Sequence, residues 1–207
     1  MQFTPEHAQA LDQILTWRRD IRHFHTDPVP EPVLDELAQA MEWAPSVGNS
    51  RPWRVVRVDD PATRARLLAN YESARDAGAA VYDGDDLALY KQLKLSGMAE
   101  APVQLAVFTD TEPQAGRGLG RQTMPETLAY STVVAIHTLW LAAHVRNLGV
   151  GWVSVLDPQA VTDTLDVPAH WQFTAYLCLG YPAYEDDRPE LERRGWQANT
   201  PTPWTRR

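Results

Sequence analysis

The sequence predicts a single mixed α/β domain. Segments with apolar residues at helical spacing alternate with short β-branched runs, one long helix is apolar on nearly every face, and residues 182–207 carry no pattern able to build a core.

From Pro5 to Trp17, Ala8, Leu11, Ile14 and Leu15 recur at helical spacing, with Thr4 as N-cap and the helix running into Arg18-Arg19. After the turn-rich Thr26-Asp27-Pro28, residues Pro30 to Trp43 repeat the pattern through Val33, Leu34, Leu37 and Met41, until Pro45 stops it. The stretch Ala44 to Pro52 is therefore a loop. Trp53 to Val58 and Val103 to Thr109 read as buried strands. Between them, helices are expected over Ala62 to Tyr71 and Leu87 to Met98, separated by a mobile Asp/Gly/Ala-rich section without apolar periodicity. Pro125 to Val145 should be a central helix buried on all sides and packed against a partner. Gly151 to Leu156 makes the next strand, Pro158 to Leu165 a short helix and Phe173 to Leu179 another strand. The segment 182–207 is an extended arm whose Trp196 and Trp204 suggest docking on another surface.

At 207 residues the chain is long enough for one sizeable core, and 44% apolar with 22% charged residues is ordinary globular usage. A net charge of -8 argues against nucleic acid as the main partner, because binding a phosphate backbone needs a clustered positive surface. Cys178 is the only cysteine, which removes an intrachain disulfide and any multi-cysteine metal site. With no secretory signal pattern and no long uncharged apolar run, a reducing cytoplasm and no membrane are expected.

Several groups could carry chemistry. Arg18, Arg19 and Arg22 form a cationic cluster whose planar forks suit phosphate, although arginines at a helix end also simply complement its dipole. Asp20 lies among them and either pairs with a neighbouring arginine or faces a cavity. The loop holding Ser46, Gly48, Asn49, Ser50 and Arg51 is rich in small hydrogen-bonding residues, as both an ordinary turn and a cofactor loop would be. Gly149 and Gly151 precede a strand, where a missing Cβ lets backbone amides approach a flat ring closely. They do not make the dinucleotide fingerprint, which needs a third glycine and a downstream acid. The six histidines form no complete ligand set, so no metal is expected. Ser131 and Ser154 lack the nucleophile-elbow context.

Taken in order, Arg18-Arg19-Asp20-Ile21-Arg22, Ala44-Pro45-Ser46-Val47-Gly48 with Pro52-Trp53, and Gly149-Val150-Gly151-Trp152-Val153-Ser154 resemble the nitroreductase superfamily. A narrower likeness to its branch that fragments flavin into 5,6-dimethylbenzimidazole is carried by Leu93-Lys94-Leu95, Gly120-Arg121, Tyr130-Ser131-Thr132-Val133, Cys178-Leu179-Gly180-Tyr181-Pro182 and Arg188-Pro189-Glu190-Leu191 with Gly195-Trp196. The resemblance implies an α+β sandwich, with a mixed central sheet flanked by helices. It further implies a homodimer with an exchanged C-terminal arm and two FMN sites between subunits.

Carried onto this chain, the family pattern places Arg18, Arg19 and Arg22 on the FMN phosphate and ribityl side. Ser46, Asn49 and Arg51 then lie near the cofactor, and Gly151, Trp152 and Val153 along the isoalloxazine. Asp20 and Ser154 match the two side chains associated with fragmentation. The implied reaction consumes reduced FMN and molecular oxygen, yields erythrose 4-phosphate beside the dimethylbenzimidazole, and draws its reduced FMN from a separate flavin reductase. Asn49-Ser50-Arg51 is closer to the loops of reductases that retain FMN and pass hydride from NAD(P)H to nitro, quinone or enone acceptors. A non-catalytic flavin-binding protein is the third reading.

Overall fold

The computed structural model describes residues 1–207. At its centre lie four strands, β1 (Trp53–Arg57), β2 (Val103–Asp110), β3 (Gly149–Val153) and β4 (Trp171–Gly180), in the order β1-β2-β4-β3. All three pairings are antiparallel. Parallel pairing is confined to a bridge between Asp20 and Val150, so the mixed character expected of the sheet reduces to that point.

Both central strands are covered on both faces, which is why β2 and the second half of β4 read as continuous apolar runs rather than as an alternation. Successive side chains still point to opposite faces. Val107, Leu177 and Leu179 meet Leu37 and Met41 of α2 (Glu31–Met41) and Ile136 and Leu139 of α5 (Thr127–His144). Phe108, Tyr176 and Cys178 meet Leu67 and Tyr71 of α3 (Pro61–Gly78) and Val161 of α6 (Pro158–Leu165). Each fully buried aliphatic or aromatic side chain contributes roughly 1.5–3 kcal/mol to these two half-cores.

Helix α1 (Pro5–Trp17) forms as expected, with the Thr4 amide donating to Nδ1 of His7 at 3.2 Å. None of its residues is buried, and Leu11, Leu15 and Trp17 stand exposed. Two expectations for the middle of the chain are corrected. Helix α3 does not stop near Tyr71 but continues to Gly78, and α4 spans Gly84–Gln92 rather than Leu87 to Met98. A surface helix burying only Leu67 and Tyr71 shows little apolar periodicity, and the turns after Tyr71 propagate on the intrinsic propensity of Glu72, Ala74, Arg75 and Ala77 instead. In α4, Asp85 and Asp86 complement the dipole of the first turn.

The central helix also differs. One face of α5, including Ala135, Ile136, Leu139 and Ala143, is buried, but Tyr130, Val133 and Val134 keep 57%, 40% and 41% of their surface exposed. Burial on all sides therefore fails within one chain. Strand β3 begins at Gly149 and ends at Val153, earlier than expected, leaving Ser154 beyond it.

The arm contains one turn of helix, α7 (Glu190–Arg193), which the sequence reading did not foresee. Its end is a Schellman motif: the Trp196 amide bonds the Leu191 carbonyl at 2.8 Å and the Gly195 amide the Glu192 carbonyl at 3.0 Å. Gly195 takes the left-handed φ of 76° that this ending requires. No helix is long and apolar enough to cross a membrane.

Candidate active site

The segment from Arg18 to Phe24 leaves α1 and runs alongside β3 and the end of β4. The Ile21 amide bonds the Val150 carbonyl at 3.0 Å, and Phe24 bridges Pro182. Gly149 and Gly151 make this approach possible. A Cβ on Gly149 would lie 2.7 Å from the Ile21 side chain, and one on Gly151 would collide with the Ile21 carbonyl. The space that these Cβ atoms would take is filled by the Ile21 side chain at Gly149 and by the Ile21 carbonyl at Gly151, a use of the two glycines that the sequence did not show.

Asp20 is held at both oxygens. Oδ1 accepts the Trp152 backbone N–H at 2.9 Å, while Oδ2 accepts Nε of Arg22 at 3.0 Å and lies 3.0 Å from its Nη2. Nη1 of Arg22 donates to the Lys94 carbonyl at 3.2 Å. Although the Asp20 side chain keeps 31% of its surface, burial of the carboxyl pushes its pKa above the ordinary aspartate range, against the opposing pull of Arg22 and the Trp152 amide. A carboxylate with raised proton affinity beside a polar cleft is suited to taking and returning a proton.

Arg19 lines two adjoining depressions. The larger, about 240 Å³, also has Trp17, Ile21, Trp140, His144 and Tyr184 in its walls. The smaller, about 30 Å³, joins Arg19, Asp20 and Arg22 to Arg188, Glu190 and Arg193 of the arm. Arg19 donates Nη1 to the carbonyls of Thr16 and Arg18 at 2.7 and 2.8 Å and Nη2 to that of Asp187, while its buried Nε has no acceptor. Arg18 lies over the Trp140 ring at 5.2 Å. Burial lowers the pKa of His144, and Arg18 and Arg19 lower it further. An orphaned guanidinium N–H within a cluster of arginines fits the anionic end of a phosphate-bearing ligand such as FMN. At 240 Å³ the larger depression falls below the roughly 300–1,000 Å³ of ligand pockets.

Ser46, Asn49 and Arg51 lie elsewhere. Ser46 accepts the Arg51 amide at 3.0 Å, Arg51 reaches Glu42 at 3.3 Å, and the Val47 amide bonds Oγ of Ser131 at 3.0 Å. Asn49 and Arg51 adopt left-handed φ values of 55° and 45°, strained for non-glycine residues. Ser131 is in the first turns of α5, whereas Trp140, which donates Nε1 to the Arg19 carbonyl at 3.2 Å, is nine residues further along that helix. The two groups are therefore separated by about 14 Å along the helix axis. Trp152 and Val153 are in β3, with the Trp152 amide on Asp20, and Ser154 stands exposed just beyond the strand.

Sequence reasoning missed Trp17, Trp140, His144, Arg188, Glu190 and Arg193 as walls of the cleft. The signal for the last three was a proline start and glycine stop around Glu190–Arg193.

An antiparallel sheet sandwiched by helices, with an arginine-ringed carboxylate on the strand edge, makes an α+β domain whose cleft suits an anionic ligand. The chain belongs to the Nitroreductase family, whose profile matches residues 15–181. Over all 207 residues it is 56% identical to a 5,6-dimethylbenzimidazole synthase of Rhodobacter capsulatus, with both chains fully covered. It is 54% identical to the enzyme of the same name from Rhodospirillum rubrum, covering 99% of this chain and 97% of the relative. Among solved structures, an iodotyrosine deiodinase bound to FMN and 3-iodo-L-tyrosine shares the fold, with TM-score 0.72, 22% identity and 85% and 91% of the two chains covered.

Proposed function

We propose that this chain converts reduced FMN and molecular oxygen to 5,6-dimethylbenzimidazole and erythrose 4-phosphate. The observation that carries the reading is end-to-end identity of 56% and 54% to two relatives named for making that product. Reduced FMN, when bound, supplies both the electrons and the carbon skeleton. Arg19 and Arg22 hold the anionic side of this substrate, Asp20 moves protons during ring opening, and Ser154 hydrogen-bonds near the reactive edge. The reduced FMN comes from a separate flavin reductase in the cytoplasm.

The working unit in this reading is a homodimer. A flavin site that takes the Arg18–Arg22 group from one copy and the Ser46–Arg51 loop from another would account for the separation of the two groups along α5. Exposed Leu11, Leu15 and Trp17 on α1 and Tyr130, Val133 and Val134 on α5 supply an apolar surface for that association, and β1 is an edge strand beside which the exposed end of a partner's arm, residues 197–207, can lie.

Incubation with chemically reduced FMN and oxygen, followed by mass spectrometry, tests the reaction. Dimethylbenzimidazole is the expected product. FMN recovered intact after many oxidation cycles, with rapid NAD(P)H turnover on an added acceptor, would replace the reading with an ordinary reductase. Stoichiometric binding with neither activity would make the chain a flavin carrier.

A further inference from the structure

We infer that Trp196 is a positioning residue for Asp20, acting through α4 and the Leu93–Lys94 turn. The inference rests on the proposed role of Asp20 for its functional meaning, but the contacts that carry it do not.

Contrary to the expectation that the ring docks on another surface, Trp196 sits on its own chain. It meets Tyr82 edge-on with centroids 5.3 Å apart and lies 6.3 Å from Tyr90, while Tyr82 and Tyr90 stack at 4.9 Å. The Schellman ending of α7 fixes its direction. Helix α7 is itself tied down by Glu190 to Nε2 of His23 at 3.3 Å and by Arg193 to Asp186 at 2.8 Å. Trp204, by contrast, is fully exposed.

From the aromatic trio a continuous set of contacts leads to Asp20. Buried Tyr90 donates its hydroxyl to the Arg75 carbonyl at 3.0 Å, a position left open because residue 78 is glycine: a Cβ there would stand 3.0 Å from that oxygen. Arg75 turns its guanidinium back onto the end of α4, donating to the carbonyls of Lys91 at 3.1 Å and Leu93 at 3.4 Å. The chain then turns at buried Leu93, and the next carbonyl, that of Lys94, accepts Nη1 of Arg22. Arg22 in turn holds Oδ2 of Asp20, leaving Oδ1 on the Trp152 amide.

Helix α4 buries only Tyr90 among its nine residues, so its own packing is thin. Its placement depends on the aromatic trio at one side and the Arg75 cap at its end. Removing Trp196 exposes the Tyr82–Tyr90 stack, loosens α4 and withdraws the Lys94 carbonyl that orients Arg22. Asp20 then loses a fixed rotamer, although no atom of Trp196 comes near it.

The test compares Trp196→Ala with Trp196→Phe in the full-length protein by residue-resolved amide hydrogen exchange, with Tyr82→Leu attacking the same contact from the other side. In Trp196→Ala, amides of residues 84–94 and the Trp152 amide should exchange about tenfold faster, with β2 and β4 unchanged, and Trp196→Phe should restore most of the protection. Tyr82→Leu should give the same pattern. In a synthase assay, product per bound flavin should fall together with Trp152 protection while flavin affinity changes less. Faster exchange over 84–94 with the Trp152 amide unchanged would overturn the inference, reducing Trp196 to a local packing residue, as would no change anywhere or a uniform loss of protection. Because the exchange pattern needs no turnover, absence of dimethylbenzimidazole from the wild type would sink the proposed function and leave this result standing.

Discussion

The carbonyl oxygen of Ile21 occupies the space that a Cβ on Gly151 would need, so the Arg18–Phe24 segment can bridge β3 only while residue 151 is glycine. The obstacle is backbone rather than the movable end of a side chain. Gly151→Ala should therefore destabilise the protein by about 3 kcal/mol, the upper end of overpacking costs, measured by urea unfolding. It should also release the Trp152 amide from Asp20. A change below about 0.5 kcal/mol would mean that the bridge relaxes easily.

Asp20→Asn keeps the size of the side chain and an acceptor for the Trp152 amide, but removes the exchangeable carboxyl proton. Flavin should still bind, with dimethylbenzimidazole forming at least ~100-fold more slowly. If Asp20 serves only to pair with Arg22, affinity or stability would drop while product per bound flavin stayed near the wild-type level.

The same residue sets a pH signature. Burial raises the Asp20 pKa in the folded state above its unfolded value of about 3.9, so the folded protein binds the proton more tightly. The favourable contribution is full below about pH 3.9 and is lost as pH rises through the elevated folded value. Relative to Asp20→Asn, the wild type should thus lose stability over that interval and run parallel above it, as parallel denaturant titrations would show. A wild type that gains on the variant as pH rises would reverse the sign and refute the assignment.

Most of the framework was legible because it follows from periodicity and punctuation. Val107 and Leu177 sit in runs that could only be buried strands, and Pro45 and Pro158 marked a helix end and a helix start correctly. What escaped has physical reasons. The extension of α3 past Tyr71 rests on the helix propensity of Glu72, Ala74, Arg75 and Ala77 without an apolar stripe, and α7 is too short for any period to show. In the site, the arginine cluster with Asp20 was visible as a sequence run, but Trp140 and His144 looked like core residues of an all-apolar helix. The packing of Gly151 was not legible because its missing Cβ makes room for the Ile21 backbone, a neighbour distant in sequence.

Arg19→Ala tests the anion site. Losing a charge-assisted bond to phosphate should weaken FMN binding by roughly 1.5–3 kcal/mol, read by fluorescence titration at moderate salt. Because Arg19 also ties α1 to Asp187 of the arm, Arg19→Lys is the useful companion, keeping the charge but not the fork. Affinity unchanged in both variants would remove Arg19 from the site.

The proposal that two copies share each site can be tested by complementation. Gly48 has φ 55°, and a Cβ on it would lie 2.9 Å from the Leu119 carbonyl and 3.0 Å from that of Gly116, so Gly48→Val should distort the Ser46–Arg51 loop while leaving the Arg18–Arg22 segment intact. Asp20→Asn removes the carboxyl from the other group without disturbing the loop. Each variant alone should be nearly inactive. If one flavin site takes Asp20 from one subunit and the loop from the other, a mixed dimer holds one doubly damaged site and one intact site. Co-unfolding and refolding equal amounts of the two should then restore roughly a quarter of wild-type product formation, since half of the randomly paired dimers are mixed and each has one working site. If both groups serve the same site within a single chain, every site in every dimer retains one lesion, and mixing restores nothing. A full-length monomer binding flavin at wild-type affinity, seen by light scattering, would contradict the shared site independently.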